Sequence, residues 1–226
     1  MRVYIQLIVL LLMINLSVYA EEKSAEAPAS PSNESSTVLL QDLPVNLQTA
    51  LHQILPSFEG VRIKRAPLAG YYEIGLGSEV FYLSEDAEML LQGKVIDLPR
   101  RIDLTEQSVA EYRQELLGAV DKEQTINFAP EAPRYSVYVF TDVDCTYCRK
   151  LHAEIDQYKE LGIAFHYLMY PRGGLNSSSF TQAESVWCSA NREDALTLAL
   201  LGEQMQAAQC DNPVRQLFEV GTLAGI

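Results

Sequence analysis

Basic residues are scarce in this chain. Lys and Arg number 17 against 30 Asp and Glu, for a net charge of −13. No positive excess is available to neutralise phosphates, which argues against nucleic acid as a partner. The acidity itself reads as solubility rather than as a partner code. Long apolar runs are nearly missing as well. Only Val3 to Val18 is mostly apolar, and no second stretch of that kind follows, so the mature protein is expected to be soluble. No cysteine follows that run, which excludes a bacterial lipid attachment there. No internal repeat is visible. Cysteines number four in 226 residues, and none precedes Cys145.

What is present at the N-terminus reads as an export signal. Arg2 gives a short positive region, and Val18-Tyr19-Ala20 has the V-x-A form of a cleavage site. Residues 1–20 are therefore expected to be a cleaved signal peptide. An uncleaved anchor is the alternative, but the apolar stretch is short for a spanning helix. Residues 21–37 are rich in Ser, Ala, Pro, Glu and Asn and are expected to form a flexible linker. Export puts the cysteines in an oxidising compartment where disulfides persist. Three pairings of Cys145, Cys148, Cys188 and Cys210 can be written, and Cys145–Cys148 with Cys188–Cys210 is the simplest.

Cys145-Thr146-Tyr147-Cys148 carries the chemistry. It follows an apolar strand, Tyr135 to Phe140, and precedes a helical pattern. Strand, C-x-x-C and helix in that order read as a thioredoxin-like redox site. At a helix start the first sulfur meets unpaired N–H groups that favour a thiolate. Cys148, Leu151, Ile155 and Tyr158 recur on one face, so Cys148 is expected on the buried stripe and Cys145 at the open end. Cys145 is thus expected to attack and Cys148 to resolve. Gly162 is the expected stop of this helix.

The remaining chain divides readily. Leu47, Leu51 and Leu55 predict a short helix ending before Pro56. Val61 to Ala66, Tyr71 to Leu76, Val80 to Leu83 and Met89 to Leu91 predict a small antiparallel sheet, with Gly70, Gly75, Gly77 and Gly93 between or beside the strands. Residues 38–98 would form one small α+β domain, marginal alone, for which pairing with a second copy is a remedy. Residues 99–121 hold a linker helix, Thr105 to Val120, with Thr105 as a candidate N-cap. Residues 122–226 form the second domain. Its strands are Ile126 to Ala129, Tyr135 to Phe140 and Ile163 to Tyr170, and its later helices are Ser177 to Ala190 and Arg192 to Leu201.

Four stretches in order then carry a family likeness. Val139-Phe140-Thr141-Asp142-Val143-Asp144-Cys145-Thr146-Tyr147-Cys148-Arg149-Lys150-Leu151-His152 resembles the active-site stretch of the DsbC/DsbG family of periplasmic disulfide isomerases, DsbC most closely. Tyr167 to Leu175 matches a second family stretch. Trp187-Cys188 and Cys210 match the positions of the family's structural disulfide. Ala66 to Gly70 and Gln92-Gly93 are similar to its N-terminal dimerisation domain. The resemblance implies an α/β fold: a thioredoxin-like domain with a helical insertion, preceded by a small α+β dimerisation domain and a linker helix. It implies a V-shaped homodimer whose cleft holds misfolded exported proteins with wrong disulfides. It implies a membrane reductase of the DsbD type that keeps the active cysteines reduced. Exchange between thiols and disulfides is itself expected to need no metal or organic cofactor.

Two departures from the family pattern stand out. The family continues past the equivalent of Ile226 with a cis-proline loop, further strands and a helix, so the catalytic domain of this chain is expected to be C-terminally incomplete, and activity is expected of the parent protein more securely than of the shortened chain. A missing sheet edge would expose apolar surface and unpaired backbone groups. Asp144 precedes Cys145 where a neutral residue is common, and its carboxylate should oppose thiolate formation. The bland alternative makes Asp144 only a helix N-cap.

Competing readings are weaker. A plain structural disulfide is the alternative for Cys145 and Cys148. A four-thiolate zinc site is disfavoured by the wide spacing of Cys188 and Cys210, and a c-type haem site by Arg149 following Cys148. His152 is expected at a solvated helix position, and His52 and His166 show no partner. Tyr147 would cover the disulfide or simply pack, and Trp187 is expected in the core. Other functions are a DsbG-like reductase of single oxidised cysteines, a dithiol oxidase, and a dimeric holdase.

Overall fold

The computed structural model describes residues 37–55, 57–58 and 60–226. The expected signal peptide and nearly all of the expected linker lie outside the described residues.

The first layer is a four-stranded antiparallel sheet in the order β1 (Val61–Arg65), β2 (Tyr71–Leu76), β3 (Glu79–Ser84), β4 (Leu90–Gln92). Alternation along the strands decides which helix covers which face. Ile63, Tyr72, Ile74 and Leu83 point to helix α1 (Val45–Ile54), meeting Leu47 and Leu51, both fully buried. Val80 and Tyr82 point the other way and pack on Val109 of helix α2 (Leu104–Gly118). The helix expected as a spacer therefore covers the second face of this sheet. Glu73 shares that face and is buried, with Lys64 Nζ at 3.3 Å. Gly77 makes the tight β2–β3 turn with φ of 59°, and a Cβ there would stand 2.9 Å from the Leu223 carbonyl oxygen. A two-stranded ribbon, β5 (Ile96–Asp97) and β6 (Ile102–Asp103), leads into α2.

The N-cap of α2 corrects the sequence reading. Asp103, not Thr105, accepts the Glu106 N–H at 2.9 Å. Thr105 already lies inside the helix, and its hydroxyl meets Tyr82 Oη at 2.5 Å and accepts from the Val95 N–H.

The second layer is a three-stranded sheet in the order β7 (Ile126–Phe128), β9 (Ile163–Met169), β8 (Tyr135–Thr141). β8 and β9 run parallel, from Tyr135 opposite Ile163 to Thr141 opposite Met169, while β7 is antiparallel to β9. The parallel pair is joined by α3 (Thr146–Ala153) and α4 (Ile155–Glu160), as a parallel connection requires. The single helix expected after the C-x-x-C is broken at Glu154. The apolar stripe survives the break: Ile155 is buried, and Cys148, Leu151 and Tyr158 pack on the same core. Gly162 stops α4 in a left-handed conformation, φ 82°, and its N–H bonds the Lys159 carbonyl.

The helical insertion comprises α5 (Ser178–Trp187) and α6 (Arg192–Leu200), followed by α7 (Val214–Leu223). These bury Phe180, Val186, Trp187, Leu196 and Val214 against Phe165, Tyr167 and Met169 of β9. Each insertion helix has a side-chain cap: Ser177 accepts from the Phe180 N–H, and Asn191 from the Glu193 and Asp194 N–H groups. β8 is an edge strand among the described residues, with Tyr135 and Val137 exposed.

Candidate active site

The C-x-x-C stands where β8 ends and α3 begins. Asp142 organises the approach. Its buried carboxylate accepts the Asp144 N–H at 3.0 Å and the Arg172 N–H at 2.9 Å, with Arg172 Nε at 3.4 Å. One acid thus ties the loop before the cysteines to the turn after β9. A second tie, the Tyr170 N–H to the Thr141 carbonyl at 2.7 Å, fixes the two strand ends together. The Cys145 N–H closes the turn on the Asp142 carbonyl.

Cys145 is the N-cap of α3. Its sulfur accepts the Cys148 N–H at 3.2 Å, and its carbonyl accepts the Arg149 N–H to start the helix. An N-cap sulfur facing free helix N–H groups is the arrangement that favours a thiolate once the bond is reduced. Cys145 and Cys148 are bridged, with Cα atoms 5.2 Å apart. Cys188 and Cys210 form the second bridge, with Cα atoms 5.7 Å apart, linking the C-cap of α5 to the segment before α7.

Several expectations are reversed here. In the bridged form Cys145 is the covered sulfur residue, 8% exposed, and Cys148 is only half-buried. As N-cap, Cys145 folds its side chain back over the first turn, so the open end of the helix does not present it. Asp144 is not the N-cap; it is exposed, with its carboxylate 3.8 Å from Arg149. Tyr147 covers nothing: it is 84% exposed. Thr146 is exposed in the first turn.

His152 departs furthest from its expected solvated position. It is 6% exposed. Its Nε2 lies 2.9 Å from Thr197 Oγ1 on α6, and its Nδ1 lies 3.2 Å from Tyr167 Oη on β9. Thr197 donates its only proton to the Glu193 carbonyl at 2.9 Å, so His152 Nε2 must carry a hydrogen and donate to Thr197. Nδ1 of the neutral ring then accepts from the Tyr167 hydroxyl. Burial holds the His152 pKa below its ordinary value, and burial pushes the Tyr167 phenol well above its own. His166 also has a partner, Asn127 Oδ1 at 2.6 Å, and burial lowers its pKa too. Trp187 is in the core as expected, under the Arg192 guanidinium at 3.8 Å. The signals missed for His152 and Asp142 differ. His152 lies four residues after Cys148, on the same helix face, which placed it on the buried stripe. Nothing local marks Asp142, because its partner Arg172 is 30 residues away.

A strand, a bridged C-x-x-C at a helix N-cap and a parallel return strand together define a thiol:disulfide oxidoreductase site on a thioredoxin-like domain. The family models and the similar proteins agree. Residues 23–106 match the disulfide bond isomerase protein N-terminal domain, and residues 122–219 match a thioredoxin-like domain. The chain is 31% identical over 170 residues to the thiol:disulfide interchange protein DsbC of Dickeya dadantii, covering 74% of this chain and 69% of that one. It is 30% identical over 164 residues to DsbC of Escherichia coli K12, covering 73% and 68%. Among solved structures, a disulfide interchange protein from Neisseria gonorrhoeae is 26% identical with a TM-score of 0.42, over 47% of this chain and 76% of that one. The chain belongs to the DsbC family of thiol:disulfide interchange proteins.

Proposed function

We propose that this protein isomerises wrong disulfides in exported proteins, with Cys145 as nucleophile and Cys148 as resolving thiol. The observation that carries the reading is the position of the Cys145 sulfur as N-cap of α3, accepting the Cys148 N–H. The bridged form must first take up two electrons. The Cys145 thiolate then attacks one sulfur of a substrate disulfide, forming a mixed disulfide and releasing one substrate thiolate. That thiolate, or another in the substrate, attacks a second substrate sulfur, and Cys145 leaves as thiolate; no net electrons move. If exchange stalls, the Cys148 thiolate attacks Cys145 of the mixed disulfide. The substrate departs as a dithiol, and the enzyme returns to the bridged form. A dithiol reductase, in this proposal a membrane protein of the DsbD type, restores it. Cys188–Cys210 is assigned a structural role. No metal or cofactor enters these steps.

The same reading places the protein in the periplasm as a homodimer. Exposed apolar side chains support the dimer: Leu90 and Leu91 on edge strand β4, and Ile96, Leu98 and Ile102 in the ribbon that follows it in the chain. An unpaired edge carrying leucines is a template for a second copy.

The test uses reduced protein and a scrambled ribonuclease. Return of ribonuclease activity is expected, lost entirely in Cys145→Ser. Cys148→Ala should accumulate mixed disulfides trapped by acid quenching. Recovery that survives Cys145→Ser would overturn the assignment. Suppression of aggregation that persists in Cys145→Ser without any exchange in the wild type would make the protein a holdase instead.

A further inference from the structure

The only guanidinium fixed beside the C-x-x-C within its own helix belongs to Arg149. Its Nε and one terminal nitrogen both donate to the Val143 carbonyl, at 3.0 and 2.8 Å. Val143 is two residues before Cys145 and is buried. Two N–H groups on one oxygen hold the planar cation across the loop that leads into the cysteine. The same side chain faces the Asp144 carboxylate at 3.8 Å. Arg149 is half-buried, and the turn after α6 comes up to it, with a Cβ at Gly202 placed 4.0 Å from its other terminal nitrogen. The cation is therefore tethered rather than free in solvent.

We propose that Arg149 is a positioning residue for the exchange reaction: its fixed positive charge favours the Cys145 thiolate and offsets the opposing charge of Asp144. The proposal rests on the reading of Cys145 as nucleophile. Its logic is electrostatic. The flanking Asp144 carboxylate raises the free energy of a thiolate one residue away, and a tethered cation within the same turn lowers it. A low, but not very low, thiol pKa is what an isomerase needs, since the sulfur must both attack and leave. The other charges of the neighbourhood are accounted for. Asp142 lies buried beneath the loop and is engaged with Arg172 of the turn after β9. Lys150 and His152 follow on α3, the former exposed and the latter held neutral against Tyr167 and Thr197. Glu203 follows Gly202 in the turn after α6 and is exposed.

The experiment measures the Cys145 pKa in the reduced full chain, from the rate of alkylation against pH with the alkylated residue identified by mass spectrometry. Arg149→Gln keeps an N–H donor for the Val143 carbonyl but removes the charge. It should raise the Cys145 pKa by about half to one unit and slow alkylation at pH 7 by roughly three- to tenfold. Arg149→Lys keeps the charge and should recover most of the loss. Asp144→Asn should shift the pKa the other way, and Asp144→Asn with Arg149→Gln should return it close to wild type. If Arg149→Gln leaves the profile unchanged, or Arg149→Lys behaves as Arg149→Gln does, the proposal is overturned and Arg149 only braces the loop. Should wild-type Cys145 itself alkylate no faster than an ordinary exposed thiol, the functional reading fails instead, a result distinct from either.

Discussion

The two disulfides of this protein are built in opposite ways. Cys188–Cys210 closes a separation of 22 residues, and its ends are tied into the insertion: the Cys188 N–H bonds the Glu184 carbonyl, and Asn212 Nδ2 bridges the Cys210 carbonyl and the Glu184 carboxylate. Cys145–Cys148 closes a separation of three within one helical turn. Loop-closure entropy makes the first worth about 3 kcal/mol and the second about 2 kcal/mol, since the cost grows with the logarithm of the loop length. The short bridge can therefore be opened and closed at smaller expense to the fold. What holds its loop in place is not the bridge but Asp142, Arg149 and His152, each bonded to groups outside the sulfur pair.

The largest effect should come from removing the long bridge. Cys188→Ala with Cys210→Ala is expected to destabilise the protein by about 3 kcal/mol, read from urea unfolding with Cys145–Cys148 kept oxidised. The alkylation rate of Cys145 after mild reduction should change less than twofold. A large change in that rate would merge the two bridges into one functional unit and end the contrast.

Next in size is Asp142→Ala. It leaves the Asp144 and Arg172 N–H groups without their buried acceptor, at a loss of about 2 kcal/mol. Unlike removal of the long bridge, it should also slow exchange, because the loop entering α3 loses its anchor. Urea unfolding and the ribonuclease assay on the same variant check both halves. Stability lost without any loss of exchange would mean that the Arg149 bonds to Val143 suffice to hold the loop.

Much of this contrast was legible in the sequence. Cys145 to Cys148 after an apolar strand located the redox site, and strand alternation located all four strands of the first sheet but not the separate ribbon. Ile96–Asp97 and Ile102–Asp103 were missed because two residues are too few to show a period of two. The α2 cap was misplaced because both Asp103 and Thr105 are N-cap residue types, and only the packing of Thr105 on Tyr82 decides between them. The break at Glu154 has no glycine or proline to announce it, and the local residues give no reason for it. Cys148 packs on the core stripe as its helical spacing predicts, but Cys145 is the more covered of the two, because helix periodicity describes residues inside the helix, whereas an N-cap side chain folds back on the first turn. The ties of Asp142 and His152 run to Arg172 and Thr197, 30 and 45 residues away, so spacing along the chain could not show them.

The smallest effect separates the two bridges by pH. His152 sits on the helix of Cys148 and joins it to β9 and α6, and burial holds its folded pKa below 6.5. Below that value the unfolded chain binds a proton that the folded protein refuses, so stability is fully present above pH 6.5 and falls as the pH drops toward the folded pKa. The sign follows from the geometry as well: a protonated ring would turn Nδ1 from acceptor to donor and leave the buried Tyr167 hydroxyl without its acceptor. The slope is at most about 1.4 kcal/mol per pH unit for one group. His166, also buried and lowered, adds a slope of the same sign from the other side of β9, bonded to Asn127. Unfolding free energies from urea at pH 7.5 and 5.5 should therefore differ more in the wild type than in His152→Gln, by at most about 1 kcal/mol, with His166→Gln removing a further part. Hydrogen exchange at pH 5.5 should loosen α3 and leave the α5 end at Cys188 protected. Equal loosening at both bridges would show that acid acts on the whole domain, and the active pair would then have no separate hold on its helix.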